Sequence, residues 1–120
     1  MIGIAYISKD RPIHLKNSLM SMLSQTVLPS EIVVVDCSDY RDTIISLINS
    51  IQKNSPIKIQ YEWRNKENLS RSQGRSLGRQ FITSTFMVST ECDIVYDLGL
   101  IEECISFLNP EEKMYLHTYS

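Results

Sequence analysis

Glu31-Ile32-Val33-Val34-Val35-Asp36 decides how this chain is read. The four central residues are all β-branched, and branching at Cβ favours extended backbone. A run with no polar alternation suits a strand covered on both faces, the usual situation inside a parallel sheet. Ile2 to Ile7 has the same character. Between these runs stand Ser8-Lys9-Asp10-Arg11-Pro12, with cap candidates and a proline suited to a first helical turn. Leu15, Leu19, Met22 and Leu23 then repeat at helical spacing, which predicts an amphipathic helix over 13–25 that Leu28-Pro29-Ser30 breaks. Two buried strands joined through a helix form a parallel pair.

The alternation continues outward from that unit. Ser38 or Asp39 can cap a second helix with the stripe Ile44, Leu47, Ile48 and Ile51, ended by Asn54-Ser55-Pro56. Ile57, Ile59, Tyr61 and Trp63 alternate as a third strand, and 64–70 reads as a polar loop. Residues 71–83 predict a third helix with Leu77 and Phe81 on its inner side. Phe86-Met87-Val88 is a short fourth strand, and Leu100, Ile101, Cys104, Ile105 and Leu108 line a last helix. Met114 to Leu116 adds a fifth strand. The pattern predicts one α/β domain over 1–120, a Rossmann-like open and mostly parallel sheet with helices on both faces. No internal repeat or low-complexity tract interrupts it.

Bulk properties narrow the function classes. A chain of 120 residues can hide roughly two-thirds of its unfolded surface, enough for a core without staples. The net charge of −2 gives no reason to expect nucleic acid or an anionic membrane as the main partner. Three cysteines, Cys37, Cys92 and Cys104, are odd in number and lack metal-binding spacing, which points away from a disulfide framework and towards a reducing cytoplasm. The apolar N-terminus is short, lacks a basic lead and meets Lys9-Asp10-Arg11 at once, so it reads as a strand and not a signal peptide. No apolar run approaches the roughly 20 residues that span a bilayer.

Ligands of open α/β sheets bind beyond the carboxyl ends of the strands. The polar residues there are Ser8 and Asp10 after the first strand, Asp36 after the second, and Glu91 and Asp93 after the fourth. Each has a plainer reading as a cap on the following helix. Asp36 can accept from a base edge or a ribose hydroxyl. Glu91 and Asp93, two residues apart, face the same side if the segment is extended, and could then share Mg²⁺ or Mn²⁺ with a diphosphate; a solvated acidic loop is the alternative. Arg71, Arg75 and Arg79 recur every four residues along one helix face. Arg71 stands nearest the helix start, where free amides and the helix dipole favour phosphate. Arg79 reads equally well as part of a surface stripe paired with acids. Gly74 and Gly78 let this helix approach a neighbour closely, and Asn68-Leu69-Ser70 can supply further donors. His14 and His117 have no partner pattern, and Gln73 to Gly78 follows no strand, so it is neither a dinucleotide fingerprint nor a phosphate-binding loop.

Together these stretches resemble family 2 glycosyltransferases of the GT-A fold. Ile4 to Pro12 is similar to the family's opening strand and Pro-Thr-Tyr-Asn-Arg-Pro loop, Leu19 to Thr26 to its "L.SLL.QT", and Ile32 to Asp39 to its "IVVVDDGSTD". Asn68 to Gly78 resembles "N.G.S.ARN.G", Glu91-Cys92-Asp93 falls on the DxD motif, and Leu100 to Glu103 falls on the helix after it. The resemblance implies a nucleotide diphosphate sugar as ligand, with Ser8 and Asp36 on the nucleoside and Arg71 or Arg75 near the nucleotide. It also implies Glu91 and Asp93 on ribose, diphosphate and metal, and transfer to an unknown glycan, lipid or protein acceptor. Cys37, Ser76 and Glu91 depart from the family pattern. The chain ends soon after the helix that follows DxD, where family members continue into an acceptor-binding part that carries the catalytic base. A second expectation is therefore a catalytically silent nucleotide-binding or assembly module, homo-oligomeric or part of a larger complex. A receiver-like signalling domain ranks third, since its early acidic pair and late lysine find no match.

Overall fold

A computed structural model describes residues 2–65, 70–107 and 115–117. Strands β1 (Ile2–Ser8), β2 (Glu31–Asp36), β3 (Ile59–Trp63), β4 (Phe86–Glu91) and β5 (Tyr115–His117) form one sheet in the order β3-β2-β1-β4-β5. Every neighbouring pair is parallel, with Ile4 opposite Ile32 and Val88, and Ile32 opposite Ile59. Helices α1 (Pro12–Leu23), α2 (Arg41–Gln52), α3 (Arg71–Phe81) and α4 (Leu100–Phe107) connect them. This is an open, parallel α/β sheet with helices on both faces, a Rossmann-like architecture. Among the described residues no helix is long and apolar enough to cross a membrane.

The two faces of the sheet are built differently. Ile2, Ile4 and Tyr6 of β1, with Ile32, Val34, Ile59, Phe86 and Val88, meet Leu15, Leu19 and Met22 of α1, Ile44, Ile48 and Ile51 of α2, and Ile101 of α4 in one apolar cluster. Period-two alternation sends Gly3, Ala5 and Ile7 to the opposite side, where α3 lies against β1, β2 and β4. Its buried residues are Gly74 and Gly78. A Cβ on Gly78 would stand 2.8 Å from that of Ala5, and one on Gly74 would stand 3.3 Å from the Ile7 side chain. Close approach of α3 thus depends on missing side chains. Leu77 and Phe81, expected on the inner side, are half-buried flanks to a glycine seam.

Other differences have local causes. The predicted second-helix caps are not used: α2 starts after Tyr40 with no side-chain cap bond, because the Ser38 hydroxyl is taken by Asp36. α1 starts at Pro12 and stops at Leu23. Gln25, buried just beyond it, donates to the Asp97 carbonyl at 2.5 Å and accepts from the Ile101 N–H at 3.1 Å, tying α1 to the start of α4. Ile105, expected in the α4 core stripe, is 46% exposed; Leu108 and Met114 lie outside the described residues. β4 runs three residues beyond the predicted Val88, to Glu91.

At the amino edge of the sheet Glu31 gathers the turn before β4. It accepts from the Thr83 N–H at 3.0 and 3.2 Å, the Thr83 hydroxyl at 2.9 Å, the Ser84 N–H at 2.8 Å, and the Ser84 hydroxyl. Burial works against its ionisation, but the Ser84 and Thr83 donors outweigh it and hold the carboxyl below its ordinary value of 4.5.

Two outcomes follow from this packing. Gly78→Val overpacks the α3–β1 seam and lowers unfolding free energy by about 1–3 kcal/mol in urea titration. Gly99→Ser, at a position with nothing within 4 Å, stays within about 0.5 kcal/mol of the parent. For Glu31 the folded pKa lies below the unfolded one, so its contribution is complete above the unfolded value and is lost as pH falls through the depressed folded value. The stability gap between the parent and Glu31→Gln is then about 1 kcal/mol at pH 7, after solvent screening, and shrinks in titrations near pH 3.

Candidate functional site

β1 is central, and connections leave it towards β2 on one side and return through β4 on the other. The order of strands reverses there, which opens a crevice at the carboxyl ends of β1 and β4. A cleft of about 370 Å³ occupies it. β1 contributes Ile7 and Ser8, the following loop Lys9 and Arg11, the end of β2 Cys37, the start of α3 Ser70 and Arg71, and the end of β4 Glu91, Cys92 and Asp93.

Ser8 is 1% exposed. Its hydroxyl has no hydrogen-bond partner among the described residues; the Cys92 thiol beside it is a weak partner without hydrogen-bonding geometry. Burial pushes the Cys92 thiol up, and burial followed by the Asp36 charge does the same to Cys37, so neither is a ready thiolate. Across the cleft the Ser70 hydroxyl accepts from the Gln73 N–H at 3.2 Å, while Gln73 Oε1 accepts from the Ser70 N–H at 2.6 Å. This capping box fixes the start of α3. The amides of Arg71 and Ser72 carry the remaining donors of that turn.

The expected nucleoside contacts divide. Ser8 lines the cleft. Asp36 is fully buried, and both its oxygens are engaged: Ser38 Oγ donates at 2.6 Å and Tyr61 Oη at 2.5 Å. Burial, then the carboxylate beside it, pushes the Tyr61 phenol far above its ordinary value, so it stays a donor. Asp10 adopts φ 49°, a left-handed conformation that Asp tolerates better than most residues. Its N–H donates to Ser38 Oγ at 2.7 Å and its carboxylate accepts from the Asp39 N–H at 2.9 Å. Trp63 Nε1 donates to the Ser38 carbonyl at 2.9 Å, and Arg41 stacks 4.8 Å from the Trp63 ring centroid. Asp10 and Asp36 thus bolt together the loops after β1 and β2 and the carboxyl end of β3, and a ligand reaches Asp36 only by displacing Ser38 or Tyr61.

Arg71 stands at the first position of α3 with Nε 3.2 Å from Glu91 Oε1. Arg11 Nη1 lies 3.8 Å from Asp93 Oδ2. Arg75 is half-buried outside the cleft and makes no ion pair among the described residues. Lys9, Arg11, Cys37 and Cys92 were not among the sequence candidates. A signal for the first two existed in their basic character just past the end of the first strand, where ligands of open α/β sheets bind. Asn68 and Leu69 lie outside the described residues.

Comparison with protein-family models and with curated proteins finds no match for this chain. What the chain can do therefore rests on its own geometry.

Mg²⁺ or Mn²⁺ is expected on Glu91 and Asp93, and both residues line the cleft. Only Glu91 belongs to the strand; Cys92 and Asp93 already turn, so the extended geometry that would align the two carboxylates is absent. Each carboxylate faces a guanidinium, and among the described residues no group of three or more His, Cys, Asp or Glu side chains could hold a metal ion. What the cleft offers is cationic and hydroxyl donors, a set that suits an anion.

Tyr61→Phe removes one of the two donors to a buried carboxylate and leaves that oxygen unpaired. It lowers unfolding free energy by about 1–3 kcal/mol in urea titration, with no change in the residues that line the cleft.

Proposed function

We propose that the cleft binds the diphosphate of a nucleotide sugar, and that the chain is the donor-binding part of a glycosyltransferase related to family 2. One observation carries this reading. At the switch point of a Rossmann-like sheet, Ser8, whose buried hydroxyl has no hydrogen-bond partner among the described residues, and Arg71 at a helix start line the same cleft. Helix starts favour phosphate through free amides and the dipole, and arginine matches phosphate with two parallel donors. The order of motifs from Ile4 to Glu103 supports the same family.

In such a transfer the acceptor hydroxyl displaces the nucleoside diphosphate at the anomeric carbon. The bond to the departing phosphate oxygen breaks as the new glycosidic bond forms, and the acceptor hydroxyl's proton passes to solvent. Lys9, Arg11 and Arg71 would stabilise the negative charge gathering on that leaving group, and Ser8 would donate to it or to the adjoining ribose. The acceptor is a hydroxyl of a glycan, lipid or protein, and none of the described residues is assigned as its base.

Calorimetric titration with UDP and GDP, each with and without Mn²⁺, tests the reading. Heat with one nucleotide is expected, and Arg71→Ala should weaken that binding by about 10-fold to 100-fold. No detectable heat with either nucleotide at millimolar concentration would sink the proposal.

A further inference from the structure

Resting on that reading of the cleft, we infer that Glu91 and Asp93 hold Arg71 and Arg11 in readiness for the ligand's phosphates and are not ligands of a divalent cation, so diphosphate binding here needs no metal. The charge arrangement is the ground for this. Lys9, Arg11 and Arg71 face Glu91 and Asp93 across one cleft, so cations already outnumber acids before any metal arrives. Mg²⁺ sits at about 2.1 Å from its oxygen ligands. A cation that close to Glu91 Oε1 would share its surroundings with the Arg71 Nε, 3.2 Å from the same oxygen, and like charges at such range disfavour each other.

A phosphate meets the opposite situation. The Arg71 and Arg11 side chains are 73% and 56% exposed, and ion pairs this open are weak and easily exchanged. Phosphate oxygens can replace the carboxylates on the same guanidiniums with better geometry and more charge. Glu91 and Asp93 keep contact with solvent, at 23% and 28% exposure, so they can be released into water and need no second partner. Ser8, whose hydroxyl has no hydrogen-bond partner among the described residues, lines the same cleft. Guanidinium and ammonium charge thus supplies the neutralisation that a metal would otherwise bring.

The test titrates UDP, GDP and inorganic pyrophosphate into the chain in EDTA and again in Mn²⁺, using the parent, Glu91→Gln, Asp93→Asn and Arg71→Ala. Circular dichroism melts confirm that each variant folds. Affinities in EDTA and Mn²⁺ should agree within about threefold. Glu91→Gln, which frees Arg71 from its competitor, should bind about 3-fold to 10-fold tighter in EDTA. Asp93→Asn should move the same way by less, since its pair is longer. Binding that occurs only with Mn²⁺ and is lost in Glu91→Gln would overturn the inference and leave the nucleotide reading standing. Pyrophosphate that binds in EDTA through Arg71 while neither nucleotide binds would uphold the metal-free anion site and overturn the nucleoside reading. Silence from all three ligands in both buffers would overturn both.

Discussion

The contact between Gly78 of α3 and Ala5 of β1 governs the second face of this protein. Among the described residues three helices share one face of the sheet, and α3 lies against β1, β2 and β4 on the other. It can cover them only by lying close, and the 2.8 Å that would separate a Gly78 Cβ from Ala5 leaves no room for a side chain. Gly74 repeats the device one turn earlier over Ile7. Arg71 follows three residues before Gly74, and Ile7 precedes Ser8. The seam therefore sets how far the start of α3 reaches over the carboxyl end of β1. Packing on the apolar side of α3 and charge at its tip are consequences of one close approach.

The other wall of the cleft is fixed by a polar network. A buried carboxylate without partners would be strongly destabilising, and Asp36 escapes this by engaging Ser38 and Tyr61 together. Ser38 also receives the Asp10 N–H, while its carbonyl accepts from Trp63. Two loops and the end of a third strand thus meet at one serine. Fully satisfied polar networks of this kind rigidify the elements they join. That gives the cleft a firm rim beside Cys37 while leaving Ser8 unpaired inside it.

The layered architecture was legible in the sequence because it rests on short-range periodicity. Ile32 to Val35 and Ile2 to Ile7 carry the doubly covered signature directly, and Pro12 and the glycines mark helix boundaries and seams through their own stereochemistry. Ile105 was misread because a helical stripe says which residues align, not how many the sheet can cover. The site was partly legible. Its position at the strand ends and the place of Arg71 follow from general rules of α/β sheets. Its division into roles does not, because a short polar loop can turn either way. Asp10 went into a left-handed turn that binds the neighbouring loop, and Lys9 and Arg11 took the cleft in its place. Likewise the spacing of Glu91 and Asp93 said that both could face one ligand, but the turn after Glu91 and the arginines opposite are facts of tertiary structure.

Those arginines bear on how a cationic cleft survives in a chain of net charge −2. Local charge, not the total, decides what a cleft attracts, because low-dielectric walls focus the field of the nearest groups. Lys9, Arg11 and Arg71 crowded together without acids would repel one another and loosen the loops that carry them. Glu91 and Asp93 relieve that repulsion in the free protein. Because both pairs are open to solvent, relieving it does not lock the cleft, and an anion of the kind proposed would exchange with groups that water readily accepts. A buried pair would have stabilised the free state too firmly for exchange, since separating it strands a charge away from water. Half-exposed pairing at the rim therefore reconciles a stable empty cleft with the phosphate binding proposed for it.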